Sequence, residues 1–183
     1  MPIPETRVLH VDLTSGQIWR ETIPPEEVRR YWGARGGNAR LFWREAAAGI
    51  DPLGPDNPLI FGVGTLTGTN APCSGRTTVT TKSPATQLGL KTNVGGGWGA
   101  ALRFAGYDHV VIHGASPRPV YLRIAGDQVE IRPADDLWGK DVRETTRLLS
   151  HGQDRVEVAC IGPAGEHLVK MASIMFSVYN AAA

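Results

Sequence analysis

The chain has 183 residues, 42% hydrophobic and 20% charged, which is the make-up of a globular domain with a normal core. Nineteen basic residues against eighteen acidic ones give a net charge of +1, without a block of like charges, so the sequence shows no nucleic-acid or membrane surface. No apolar stretch approaches the ~18 residues of a membrane span. Met1 to Arg7 lacks the apolar core of a signal peptide, so a cytoplasmic protein is expected.

Val8 to Thr22 alternates apolar and polar residues around Thr14-Ser15-Gly16, the pattern of a β-hairpin. Pro24-Pro25-Glu26-Glu27 opens a short helix, with prolines and acids where a helix N-terminus tolerates them. The glycine cluster Gly33-Ala34-Arg35-Gly36-Gly37-Asn38 precedes a helical run from Ala39 to Ala48, expected to bury Leu41, Phe42 and Ala46. Pro52 to Pro58 reads as a loop and Leu59 to Gly64 as a buried strand. Arg76 to Lys82, rich in threonine and valine, reads as a half-exposed strand.

Two loops carry the chemistry: Cys73-Ser74-Gly75-Arg76, and Thr92-Asn93-Val94-Gly95-Gly96-Gly97-Trp98-Gly99. The successive glycines Gly95, Gly96 and Gly97 remove every Cβ from one side of a loop. Backbone N–H groups can then approach a ligand closely and converge on it as anion donors. Asn93 adds an amide oxygen and Arg76 a guanidinium fork, both suited to an anionic cofactor with many hydrogen-bonding groups. A glycine-rich hairpin turn with a surface arginine accounts for the same residues, and sequence alone leaves that open. Ala100 to Asp108 follows as a short helix ending at Gly106, its first amides facing the same ligand. The β-branched interior of His109 to His113 predicts a strand.

The second half echoes the first. Val120 to Ile131 is another alternating hairpin, turning at Ala125-Gly126-Asp127. After it come acids at Asp135 and Asp136, a helix through Val142, Thr145, Leu148 and Leu149, and a strand from Val156 to Pro163. Hairpin, helix and strand thus occur twice in the same order, with Trp32-Gly33 and Trp138-Gly139 at comparable places. This predicts an α+β fold of two similar halves forming a β-sheet platform, the product of an internal duplication. Chance likeness of two common hairpin-plus-helix units is the alternative.

Other constellations carry less. His109 and His113 share a strand face, too far apart to hold one metal unaided. Gly95-x-Gly97-x-x-Ala100 lacks the acidic residue of a dinucleotide fingerprint, and there is no Gly-Lys-Ser/Thr of a P-loop. Ser74 and Ser83 have no triad partners that sequence can nominate. Cys73 and Cys160 fit neither a short metal spacing nor a disulfide framework, and read as two free thiols. Trp19, Trp32, Trp43 and Trp138 read as hairpin or core anchors. Trp98 either walls the ligand pocket or packs on the sheet.

Five segments in order, Leu66 to Arg76 (LTGTNAPCSGR), Thr81-Lys82-Ser83-Pro84, Phe104-Ala105-Gly106-Tyr107-Asp108, Leu137-Trp138-Gly139-Lys140 and Ile161 to Glu166 (IGPAGE), resemble the N-terminal domain of the aldehyde ferredoxin oxidoreductase family of tungsten enzymes. The resemblance covers essentially the whole chain, residues 1–183. It implies an α+β platform of two similar halves that seats a tungsten (or molybdenum) bis-pyranopterin. It implies that Arg76 lies between a pterin and the neighbouring iron–sulfur cluster. Asn93 would help coordinate a magnesium ion bridging the two pterin phosphates, and a backbone carbonyl near Ala181 would be a second magnesium contact. Gly95, Gly96 and Gly97 would pass close to the cofactor. The chain departs from the family in carrying Asn180 where relatives often have arginine.

The resemblance also implies what this stretch does not supply. Family members continue into another glycine-rich loop and two helical domains, which provide the four cysteines of a [4Fe–4S] cluster and the acid/base residues around the substrate. Two cysteines without Cys-x-x-Cys cannot build that cluster. The chain is therefore read as a fragment of a longer enzyme, expected to have no turnover alone. In the whole enzyme an aldehyde would gain an oxygen derived from water. Its two electrons would pass through a pterin, past Arg76, to the cluster and on to ferredoxin or another electron-transfer subunit. Homodimers occur in the family. Two alternatives stand beside this reading: the platform of a related subunit that reduces aromatic-ring thioesters, and a non-catalytic scaffold binding a pterin or phosphate.

Overall fold

A computed structural model of the chain describes residues 5–153 and 155–183. Met1 to Pro4, the start of the stretch read above against a signal peptide, lie outside the described residues. A six-stranded mixed sheet, in the order β2-β1-β6-β3-β4-β5, organises the first two thirds of the chain. Its strands are β1 (Thr6–Asp12), β2 (Ile18–Ile23), β3 (Leu59–Val63), β4 (Thr77–Lys82), β5 (Gly89–Val94) and β6 (His109–His113). Only β1 and β6 run parallel, and the other neighbours are antiparallel. The first hairpin forms as its alternation predicts. Asp12 Oδ1 accepts from the amides of Thr14 (2.8 Å) and Ser15 (3.2 Å), and Gly16 takes the positive φ of 73° that closes the turn.

Successive strand residues point to opposite faces, and here both faces are buried, so Val8 and Leu9, Ile60 and Phe61, and Val110 and Val111 feed two cores. Helices α1 (Pro25–Tyr31) and α2 (Ala34–Glu45) cover one face, with Val28 and Leu41 packed on Val8, Ile23, Ile60 and Val111. Helix α3 (Trp98–Phe104) and C-terminal residues cover the other, where Leu102, Phe176 and Ala182 meet Leu9, Phe61, Val79 and Val94.

The predicted start of α2 needs correction. The glycine cluster lies inside the helix, because these glycines serve close packing. A Cβ on Gly37 would stand 2.7 Å from the His109 ring, and one on Gly36 would overlap the Tyr31 carbonyl. The helix ends at Glu45, short of Ala48. Strand β4 is also more buried than its threonines suggested, Thr77 to Thr80 being enclosed because the strand sits inside the sheet. Its polar groups are satisfied there: the buried Asn38 amide donates to Thr78 O at 3.0 Å and to Thr80 Oγ1 at 3.3 Å.

The second half holds β7 (Val120–Ala125) and β8 (Gln128–Pro133) as a two-stranded hairpin, a 3-10 turn at Asp135–Leu137, and α4 (Val142–Ser150), whose N-cap Asp141 accepts from Glu144 N at 2.7 Å. Beyond these come β9 (Ala159–Cys160), α5 (Pro163–Glu166), β10 (Ile174–Phe176) and β11 (Asn180–Ala182), with the three strands ordered β11-β10-β9. The α+β class and the repeated order of hairpin, helix and strand are present. The second set of strands lies in the two small sheets, and the strand expected from Val156 to Pro163 keeps only two residues. Trp32, Trp43 and Trp138 are 71%, 83% and 52% exposed and anchor no core, contrary to the sequence expectation. Among the described residues no helix is long and apolar enough to cross a membrane.

Candidate cofactor seat

Three chain segments that are remote in sequence meet at the end of β5. A Cβ on Gly75 would lie 2.9 Å from Gly96 O, so the Cys73–Arg76 loop rests directly on the glycine loop. A Cβ on Gly96 would lie 3.2 Å from Asn180 Nδ2, which brings the first residue of β11 against the same loop. Gly96 has a φ of 103°, a conformation that only glycine adopts without strain. Gly95 has nothing within 4 Å of a Cβ position, so that side of the loop is open to a ligand. Of the three glycines Gly95 alone has an open side, Gly96 and Gly97 being packed against Asn180 and Glu157, and Ala181, next to Asn180, is exposed.

Arg76, exposed just before β4, has no carboxylate partner among the described residues. Its guanidinium is therefore available to an anion. Asn93 faces Thr78 across β4 and β5. With its amide oriented so that both ends are satisfied, Nδ2 donates to Thr78 Oγ1 at 3.0 Å and to Thr92 O at 3.3 Å, and Oδ1 accepts from Lys91 Nζ at 3.2 Å. The amide oxygen that a hard cation would use already has a cation beside it.

Sequence reading missed Glu157. A Cβ on Gly97 would overlap the Glu157 carboxylate, which Ser177 Oγ holds by hydrogen bonding. Ser177 and Val178 turn the β10–β11 hairpin with φ of 48° and 70°, costly for non-glycine residues and especially for a β-branched one. Lys91 shares the β5 face of Asn93, opposite Thr80 and Thr78 of β4, whereas the Glu157 carboxylate lies against Gly97. Only proximity in space, not spacing in sequence, joins Glu157 to Gly97. Among the described residues no group of three or more His, Cys, Asp or Glu could hold a metal. A metal here would need ligand oxygens beyond the protein's own.

Trp98 packs in the core between Phe61 and Phe176, with ring centroids 5.3 Å from each, which settles its role in favour of the sheet. Helix α3 lies close on β4 because a Cβ at Gly99 would come 2.5 Å from Thr77 Oγ1. His109 is fully buried, its Nδ1 2.8 Å from Asn38 Oδ1, and His113 instead neighbours His10, so the two form no common metal site. Both cysteines are free thiols, and burial pushes the Cys160 thiol up.

The sequence model of the aldehyde ferredoxin oxidoreductase N-terminal domain matches residues 8–183. This chain belongs to that family. It is 44% identical over 178 residues to the tungsten-containing aldehyde ferredoxin oxidoreductase of Pyrococcus furiosus, and 46% identical to that of Thermococcus kodakarensis. In each case 96% of this chain and 29% of the relative are covered. A WOR-like subunit of an aliphatic sulfonate oxidoreductase from Pyrococcus furiosus is 31% identical, over 96% of this chain and 31% of the relative. Among solved structures, the active-site complex BamBC of benzoyl coenzyme A reductase, bound to 1,5-dienoyl-CoA, superposes with a TM-score of 0.92 at 42% identity. It covers 96% of this chain and 27% of that one. The chain therefore spans about three tenths of the length of these two curated relatives.

Proposed function

We propose that the chain seats a tungsten (or molybdenum) bis-pyranopterin in an oxidoreductase that converts aldehydes to carboxylic acids, with ferredoxin or another electron-transfer subunit as acceptor. The observation that carries this is the meeting of Arg76, the Gly95–Gly97 loop and residues 180–181 in one place, on a chain 44% to 46% identical to tungsten-containing aldehyde ferredoxin oxidoreductases. The donor set fits the group. There is an open backbone side at Gly95, a guanidinium without a carboxylate partner among the described residues, and an exposed amide oxygen at Asn93 of the hard type magnesium favours.

When bound, the cofactor supplies a metal centre able to take up two electrons as oxygen from water is added to the substrate. The chain's own part is positioning. Asn93 Oδ1 and the Ala181 carbonyl would hold magnesium at the pterin phosphates. The open side of Gly95 would let the backbone of the Gly95–Gly97 loop approach the group, and Arg76 would offset its anionic charge. Cluster ligands and substrate acid/base groups would come from residues like those in the other seven tenths of the relatives. Two cysteines cannot supply a four-cysteine cluster.

Similarity to the benzoyl coenzyme A reductase complex, at 42% identity, favours a second reading nearly as well, in which the platform serves reduction of an aromatic thioester. The test is metal and pterin analysis of the full-length gene product purified without air, followed by assays with aldehydes and with aromatic CoA thioesters. Tungsten or molybdenum with two pterins, about four irons and aldehyde oxidation support the first reading. Turnover of the thioester alone selects the second. A pterin-free, metal-free protein from cells able to make the cofactor rejects both and leaves a scaffold.

A further inference from the structure

We propose that Glu157 is a positioning residue of the cofactor seat: its carboxylate holds the left-handed turn between β10 and β11 and thereby keeps Asn180 and Ala181 on the glycine loop. This rests on the cofactor reading above. Both carboxylate oxygens are placed. One accepts from Ser177 Oγ, and the other lies where a Cβ on Gly97 would stand. Gly96 needs to be glycine for its φ of 103°, but Gly97 has an ordinary helical φ of −83° that any residue adopts. The three atoms nearest a Cβ at Gly97 all belong to Glu157. The last glycine of the loop is therefore accounted for by the carboxylate it accommodates.

Ser177 and Val178 take φ of 48° and 70°, a region that L side chains enter at a cost, a β-branched one most of all. Such a turn persists only where its surroundings hold it. Ser177 is held twice: its amide donates to Val158 O at 3.0 Å, and its hydroxyl donates to Glu157, a bond that a carboxylate makes stronger than a neutral acceptor would. Beyond the turn, Phe176 pairs with Asn180 and Met175 with Ala181, so the turn sets the register in which both residues reach the seat. In that register Asn180 Nδ2 stands 3.2 Å from a Cβ position on Gly96. A bond that served only to satisfy Ser177 would need no contact with the glycine loop, whereas Glu157 touches the loop and the turn together.

The test uses the anaerobically purified full-length gene product and its Glu157→Ala, Glu157→Gln, Asn93→Ala and Glu157→Ala/Val178→Gly variants. Pterin and magnesium are counted per polypeptide before and after dialysis. Deuterium uptake is followed in peptides spanning residues 177–182 of the stripped proteins, which are also melted. Glu157→Ala should lose pterin and magnesium several-fold faster than wild type and exchange several-fold faster across 177–182, with melting unchanged. Glu157→Gln keeps an acceptor for Ser177 and should retain both. Val178→Gly removes the backbone cost of the turn, so the double variant should recover retention. A loss that the double variant does not restore overturns the positioning role. Retention and exchange equal to wild type in Glu157→Ala, with Asn93→Ala depleted, overturn the proposal and leave the seat intact. Wild type that never carries pterin overturns the cofactor reading and this inference with it, even where exchange shows Glu157 holding the turn. If Glu157→Ala melts early, Ser177→Ala removes the same bond from its other end, and retention equal to wild type then counts against the proposal.

Discussion

His10 Nδ1 lies 3.3 Å from His113 Nε2, the two rings 9° from parallel with centroids 5.6 Å apart. That centroid spacing is close to one ring radius on each side of the N···N distance, so the two nitrogens face each other across adjacent strands within reach of an N–H···N hydrogen bond. Trp19 stacks on both rings, and His10 Nε2 lies 2.9 Å from Glu21 Oε2. Arg44 grips the same carboxylate with two bonds, at 2.6 and 2.7 Å, and holds the Glu21 carboxyl below its usual range. Helix α2 is thereby latched to β1, β2 and β6 through side chains.

Glu21→Gln should weaken this latch. The pair is about a third exposed, so solvent screening limits the loss to about 1 kcal/mol at pH 7. A depressed carboxyl contributes stability above its unfolded pKa and loses it as pH falls through the folded value. The difference between variant and wild type in urea unfolding should therefore shrink towards low pH. A difference that stays constant from pH 7 to pH 3 rejects the charged latch.

Burial pushes the His109 imidazole down to about 4, with the Arg103 charge acting in the same direction. The unfolded chain takes up its proton near 6.5, well before the folded one does. Stability from this residue is thus complete above about pH 6.5 and is lost as pH falls towards 4. Between pH 7 and pH 5 the loss should be about 2 kcal/mol. Urea midpoints measured at the two pH values check the size, and an NMR titration of the His109 ring that stays neutral at pH 5.5 checks the assignment. A ring that protonates near 6.5 rejects it.

Two glycine substitutions separate packing from ligand access. A Cβ at Gly62 would overlap Asn38 Oδ1 and stand 2.6 Å from His109 Nδ1, both buried, whereas one at Gly95 meets nothing within 4 Å. Gly62→Ala should destabilise the fold by about 2 kcal/mol or more. Gly95→Ala should leave thermal unfolding unchanged and lower cofactor occupancy in the complete enzyme. Full occupancy in Gly95→Ala means the open side of the loop does not face the cofactor.

The elements that sequence could locate were those with a local signal: alternating hairpins closed by Thr14-Ser15-Gly16 and Ala125-Gly126-Asp127, the proline and acids opening α1, and the β-branched run of β6. The start of α2 was hidden because Gly36 and Gly37 look like a loop, and their purpose appears only against Tyr31 and His109. Burial of Thr77 to Thr80 depends on strand order, and exposure of Trp32, Trp43 and Trp138 on which helix and loop faces turn outward. The candidate site was legible where residues cluster in sequence, at Arg76 and from Asn93 to Gly97. Glu157 carries no motif, and only the folded neighbourhood connects it to Gly97.

Arg76 and Asn93 make separable demands on the seat. The Arg76 side chain is exposed and has no carboxylate partner among the described residues, so Arg76→Ala should melt with wild type while slowing electron transfer from cofactor to cluster. Stopped-flow reoxidation of the reduced, complete enzyme is the measurement, and rates equal to wild type reject the role. Asn93→Ala removes the fixed amide oxygen and leaves Thr78 with its backbone ladder intact, so stability should fall by no more than about 1 kcal/mol. Its deficit should appear as magnesium and pterin lost together, in equal proportion. Magnesium lost with pterin retained would place the ion away from the phosphates, and full loading of both would reject Asn93 as a ligand.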